Sequence, residues 1–216
     1  MQPQEKNTSS ENHWSQYRCP TGVSGRNVAA NMNKGHWDLT TWGFKHVSIK
    51  SDSVILDVGC GGGKTISRLA RRAVHGKVCG IDHSGDMVDF SRQLNKKLIA
   101  TNRVEIVQGT VEKTGFKDDF FDLVAAIETY YFWPNLSAAF QEIKRILKTG
   151  GYLLIISEMV KDGFYEVENA EIIAKTNVHL LSLQEMQRIL YSVGYSNVNV
   201  YRKRKSYWNA IVAQKS

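Results

Sequence analysis

The sequence predicts an α/β protein: a doubly wound, mostly parallel sheet of seven strands, with helices on both faces and a C-terminal antiparallel hairpin strand. Two observations carry this expectation. Between residues 54 and 159, five short apolar runs rich in Val and Ile alternate with segments of helical period, and runs buried on both faces are the mark of a parallel sheet. The last two extended runs, residues 196–202 and 206–214, lie too close together for a crossover helix and must pair antiparallel.

The elements follow in order. Residues 1–25 are polar and punctuated by Gly22 and Gly25, and they are expected to be flexible. Residues 26–50 hold Trp37, Trp42 and Phe44, so they are expected to form a cap on the main domain, residues 51–216. Within that domain the strands are VILDVG (54–59), KVCGID (77–82), VEIVQG (104–109), FDLVAAIE (121–128) and YLLIISEM (152–159). Helices are predicted for Thr65–Ala73, Asp86–Ile99 and Leu136–Lys148, the last capped by Asn135 and stopped by Gly150-Gly151. Two more, Glu166–Lys175 and Leu183–Val193, precede Gly194 and the hairpin, whose connection is Lys203-Arg204-Lys205.

Composition narrows the function. The 216 residues are 42% hydrophobic and 23% charged, an ordinary globular balance. The net charge of +7 invites a nucleic-acid reading, but five of the basic residues sit in the last sixteen positions with no acid among them. The rest of the chain is nearly neutral, which argues against nucleic acid as a partner. The longest strongly apolar run, Tyr152–Ile156, is far short of the roughly 20 residues that span a bilayer. With no signal-peptide pattern at residues 1–14, the expectation is a cytoplasmic protein without membrane insertion. Cys19, Cys60 and Cys79 form no CxxC pair, so free thiols and no metal are expected from spacing.

The sharpest motif is DVGCGGGKT, Asp57–Thr65, between a strand and a helix. A phosphate-binding P-loop would need glycine at Val58, five positions before Gly63. The dinucleotide frame G-x-G-x-x-G fails as well: begun at Gly59 it ends on Lys64, and begun at Gly61 it ends on Ile66. The stretch VILDVGCGGG instead resembles the first motif of the class I S-adenosylmethionine (SAM)-dependent methyltransferases, an acid and a hydrophobic residue followed by G-x-G-x-G.

That resemblance implies a Rossmann-like fold, SAM as cofactor, and a cofactor site built on Asp57, Gly59, Cys60, Gly61 and Gly63. Asp82, ending the next strand 21 residues beyond Gly61, would accept the ribose hydroxyls, with His83 and Met87 beside it. Thr110, Val111 and Glu112 match the loop beside the adenine, although Thr110 stands where the family usually has an acid. Ile127 and Glu128, at the end of the fourth strand, would complete the site.

The implied reaction is in-line methyl transfer to a small-molecule acceptor, closest to the ubiquinone- and menaquinone-biosynthesis branch. Positioning alone can supply much of such a barrier, so few catalytic groups are required. The candidates are His36, whose ordinary pKa lies near neutrality, and Glu128. The N/D-P-P-Y/F motif of amino-group methyltransferases is absent after strand four, where four consecutive aromatics stand instead. Tyr130, Tyr131 and Trp133 are therefore substrate-wall candidates, with Trp37 and Glu158, for an aromatic or anionic acceptor. An RNA methyltransferase using the basic hairpin, or a non-catalytic SAM-binding protein, are the alternatives.

Overall fold

The computed structural model describes residue 16 and residues 18–176 and 178–216. The flexible segment expected for residues 1–25 falls mostly outside this description, which begins its regular structure with α1 (Gly22–Gly35). The following turn of α2 (Trp37–Gly43) and a 3₁₀ turn at Phe44–His46 bury Leu39, Gly43 and Phe44 against the body. Gly43 is required there: a Cβ would run into the Ile156 side chain. Two hydrogen bonds tie the entry of α1 to the main domain, Gly22 N–H to Asp86 (2.7 Å) and Ser84 Oγ to the Pro20 carbonyl (2.8 Å).

The sheet contains β1 (Val54–Val58), β2 (Lys77–Asp82), β3 (Val104–Gln108), β4 (Phe121–Ile127), β5 (Leu147–Ser157), β6 (Tyr195–Arg202) and β7 (Asn209–Lys215), in the order β3-β2-β1-β4-β5-β7-β6. β1 to β5 are parallel, β7 runs antiparallel to both its neighbours, and β6 therefore points the same way as β1 to β5. Alternate residues of each strand face opposite sides. Leu56, Val58, Val124 and Ala126 join Phe140, Ile143 and Leu190 of α5 (Leu136–Ile146) and α8 (Leu183–Val193) on one face. Ile55, Val78, Leu154 and Ile156 meet Leu39, Ile66 and Val88 of α2, α3 (Lys64–Arg72) and α4 (Gly85–Ala100) on the other. Continuous apolar strands are the consequence, since neither face is wet. Among the described residues, no helix is long and apolar enough to cross a membrane.

The order reverses at β1, which lies between β2 and β4. Connections leave its two sides in opposite directions, and the crevice outside the strands' carboxyl ends at that point is where doubly wound sheets bind ligands.

Two helices differ from the sequence expectation. α5 ends at Ile146 rather than Lys148, because Leu147 is fully buried and pairs with Phe121 as the first residue of β5. Gly150-Gly151 consequently lies inside that strand, as a kink with Gly150 at φ +79°, and does not separate helix from strand. The helix expected at 166–175 is two short ones, α6 (Tyr165–Glu168) and α7 (Ala170–Thr176), parted at Asn169, whose side-chain amide donates to the Tyr165 carbonyl (3.0 Å). The backbone leaves the helical range at Asn169, at φ −115° and ψ 20°. Ser182 and Glu185 form a capping box that starts α8, and Gly194 at φ +90° ends it.

Candidate active site

The glycine loop leaves β1 at the switch point. Gly59 and Cys60 donate their N–H groups to the Ile81 carbonyl (2.8 and 3.1 Å), and Gly61 donates to the Asp82 carboxylate (2.8 Å). The other Asp82 oxygen accepts Ser84 N–H at 2.9 Å. Asp82 therefore clamps the loop onto the end of β2, and each of its oxygens keeps a lone pair for a further donor. Gly61, at φ +46°, has no atom within 4 Å of where a Cβ would stand, so the loop opens onto free space there. Gly63 faces the opposite way. At φ +74° it N-caps α3, and a Cβ would collide with Ser91 and Asn95 of α4.

The free space beside Gly61 is a cavity of about 290 Å³. Asp57, Gly59, Cys60, Gly61, Asp82, His83, Met87, Thr110, Val111, Glu112, Ile127 and Glu128 all line it, as do His36 and Trp133 among the catalytic and substrate candidates. Gly63 does not, being turned to α4. Nor do Tyr130 and Tyr131, which a 3₁₀ turn at Tyr130–Phe132 directs into the core, or Trp37, which lies outside beneath Arg68. Glu158 stands behind Glu128, away from the lining itself.

Several lining residues were not anticipated. Ala29, Met32 and Asn33 form the roof with the expected His36, at the i, i+3, i+4, i+7 spacing of one helix face, which is the signal that would have found them. Phe132 and Thr129 come from the turn after β4, and Arg18, Lys64 and Arg68 add positive charge. Arg68 also ties the roof down. Its guanidinium stacks on Trp37 at 4.0 Å, donates to the Trp37 carbonyl (3.2 Å) and bonds the Thr40 and Thr41 hydroxyls. Arg68→Ala is expected to cost about 2 kcal/mol of stability, from charged hydrogen bonds of roughly 1.5–3 kcal/mol each partly recovered from water. Urea denaturation, with limited proteolysis of residues 22–43, checks it.

Three ionisable groups meet at the inner end. Glu128, buried and at φ +53°, accepts the Tyr131 hydroxyl (2.8 Å) and Glu158 N–H (2.6 Å). Burial, with the nearby Glu158 charge adding to it, pushes its carboxyl up to about 8. Glu158 is raised too, chiefly by burial, while the Trp208 indole donates to it. Burial lowers His36, which keeps the imidazole neutral near pH 7. The side-chain ligand atoms of His36, Glu128 and Glu158 lie within 4.8 Å of one another. Spacing along the chain did not show this trio, and an imidazole with two carboxylates is a donor set that suits a divalent cation as well as a proton relay. As found, the carboxylates are engaged in internal hydrogen bonds.

At the loop, burial and the Asp82 charge push the Asp57 carboxyl up to about 8. The Cys60 thiol is held well above its ordinary value by burial, so it remains unionised and contributes its backbone.

Comparison with known proteins agrees with this geometry. Residues 56–155 match the methyltransferase domain family model. Over 116 residues the chain is 33% identical to a fatty-acid O-methyltransferase of Mycolicibacterium smegmatis, covering 54% of this chain and 41% of that protein. It is 25% identical over 199 residues to a demethylmenaquinone methyltransferase of Lactiplantibacillus plantarum, covering 82% and 83%. The chain spans between 30% and 41% of the length of the first five curated relatives it matches. A solved SAM-dependent methyltransferase of Thermotoga maritima superposes with a TM-score of 0.71 at 18% identity, over 94% of this chain and all of that one. The glycine loop at the switch point and this strand order agree with the match of residues 56–155 to the methyltransferase domain family, and make the chain similar to the class I SAM-dependent methyltransferases.

Proposed function

We propose that the protein is a SAM-dependent methyltransferase acting on a small-molecule acceptor. The observation that carries this reading is the continuity of one cavity from the Asp82-clamped glycine loop to His36 and Glu128. The residues present fit the cofactor. Gly61 leaves a cradle that any Cβ would fill, Asp82 retains two lone pairs for ribose hydroxyls, and Glu112 Oε1 is buried in the cavity wall without a hydrogen-bond partner among the described residues.

SAM, when bound, supplies a methyl group on a positively charged sulfur. Gly59, Cys60 and Gly61 would bring bare backbone to its amino-acid end, Val111 and Glu112 would border the adenine, and Ile127 and Glu128 would close the site. His36, neutral because it is buried, would accept the acceptor's proton at a ring nitrogen, and Glu128 would orient it. The roof, residues 26–50, would exclude water and hold the acceptor at attack distance. Phe132 and Trp133 offer an apolar wall, and Arg18, Lys64 and Arg68 favour an acceptor with an acidic group. The acceptors in the names of two relatives, a fatty acid and demethylmenaquinone, support an apolar molecule of this kind.

The test has two parts. SAM or its demethylated product is expected to raise the melting temperature, and labelled SAM is expected to transfer its methyl group into a component of a metabolite extract. No shift at millimolar SAM rejects the reading. His36→Asn is expected to keep the thermal shift and lower kcat by roughly 10²–10⁴, and an unchanged kcat removes His36 from the chemistry.

A further inference from the structure

The hairpin tip and the segment after β5 form one surface that methyl transfer leaves unused. Because β6 runs parallel to β1–β5, it delivers the tip, residues 203–208, to the carboxyl end of the sheet, the side on which the cavity lies. Three contacts fasten the tip to the 158–168 segment. Arg202 pairs with Asp162 (2.7 Å), Tyr207 donates to Glu168 (2.5 Å), and the Tyr165 and Tyr207 rings meet edge to face at 5.1 Å. Asp162 also accepts the Phe164 and Tyr165 N–H groups, so its one carboxylate joins the two segments.

The joined surface is both apolar and basic. Phe164 and Val167 are 74% and 78% exposed, the two most exposed of the large apolar residues described. Beside them Lys203, Arg204 and Lys205 are exposed; with Lys161 and Arg202 they outnumber Asp162, Glu166 and Glu168, the acids of the joined segment, so the surface is basic on balance. Lys203 lies over the Trp208 ring at 3.5 Å, while Arg204 and Lys205 take part in no ion pair among the described residues. Two large apolar side chains left in water beside three exposed cations at the hairpin tip are the pattern of a surface that settles on an anionic lipid layer, with the apolar residues entering the acyl boundary and the cations meeting headgroups. RNA would account for the cations, and the Phe164 ring could stack on a base, but RNA gives no reason for the exposed Val167, which has no ring face.

The surface also communicates with the candidate active site. Trp208 donates to Glu158, whose carboxylate is within the 4.8 Å cluster with His36 and Glu128 of the cavity. Docking would therefore set the inner end of the site close to the bilayer.

We propose that the Phe164–Val167 and Lys203–Lys205 surface docks the protein reversibly on anionic phospholipid membranes. The docking does not depend on the methyltransferase reading, because vesicle binding is measured without SAM and without turnover. The experiment is co-sedimentation of the full chain with vesicles of phosphatidylcholine alone and of phosphatidylcholine with 30% phosphatidylglycerol, at low and physiological salt. Binding to the anionic vesicles only, weakened by salt, is expected. A Lys or Arg near an anionic surface contributes roughly fivefold in partitioning, so Arg204→Glu with Lys205→Glu is expected to lower binding by at least twenty-fivefold. Phe164→Ser with Val167→Ser is expected to lower it about tenfold. All four positions are exposed, and an unchanged melting temperature confirms that the variants fold. Absence of vesicle binding, wild-type binding by either double variant, or loss of vesicle binding on adding a duplex or single-stranded RNA that the protein holds more tightly each overturns the proposal.

Discussion

Asp82→Ala is expected to abolish the rise in melting temperature caused by SAM and to lower kcat/KM at least a hundredfold. The carboxylate does two jobs at once. It accepts Gly61 N–H and Ser84 N–H, which holds the glycine loop against the end of β2, and it presents the lone pairs proposed for the ribose. Removing it leaves two backbone donors facing a gap, at roughly 1–3 kcal/mol for each that stays dry, and removes charged hydrogen bonds to the cofactor of roughly 1.5–3 kcal/mol. The loop would relax as well as lose its ligand. Asp82→Asn keeps one acceptor oxygen and is expected to fall between the two, with SAM binding weakened rather than lost. Isothermal titration with SAM decides the matter, and an undiminished affinity in Asp82→Ala would show that the ribose is held elsewhere.

Glu128→Gln is expected to change how stability depends on pH. With its carboxyl raised to about 8 in the fold against an ordinary 4.5, Glu128 stays protonated in the native state where the unfolded chain has lost the proton. The folded state therefore binds more protons than the unfolded one between these values, and stability declines as pH rises. The contribution is complete below about pH 4.5 and disappears as pH passes 8. Glutamine carries no titrating proton, so the variant's unfolding free energy is expected to decline less from pH 5 to 8, by up to about 1.4 kcal/mol per pH unit for one proton. Some slope should persist, because burial raises Asp57 in the same direction. Urea denaturation at several pH values measures it, and curves parallel to wild type would place Glu128 ionised in the fold. Turnover is expected to fall roughly a hundredfold, as for a lost proton-handling group.

Much of this was legible in the residues. The alternation of apolar runs with helical segments is local, and both faces of each strand are buried, so the parallel order and the C-terminal hairpin follow from pattern alone. The glycine loop was legible for a similar reason: a strand end, positive-φ glycines and an acid at the end of the next strand are a short-range arrangement that a Cβ would forbid. Asp57, Gly59, Gly61 and Asp82, which the motif's resemblance implies for the cofactor site, all line the cavity.

Direction was not legible. Gly63 shares the motif with Gly61, yet one looks into the cavity and the other into α4, because Gly61 still belongs to the open loop while Gly63 is already the N-cap of α3, packed against Ser91 and Asn95. Four consecutive aromatics looked like a wall, but the 3₁₀ turn at Tyr130–Phe132 buries Tyr130 and Tyr131 in the core, while Phe132 at its end and Trp133, extended beyond it, border the cavity.

The sequence by itself determined the mostly parallel sheet, its terminal hairpin and the glycine loop between a strand and a helix, since each depends on periodicities and backbone limits within a few residues; the strand order that makes this the switch point came from the structure. Only the tertiary structure decided what meets there. His36, Glu128 and Glu158 come from the roof, from β4 and from β5, and Arg68 reaches from α3 to hold that roof in place. Contacts between distant segments arise when both faces of the sheet are covered at once, and no local pattern specifies which side chains that covering brings within reach.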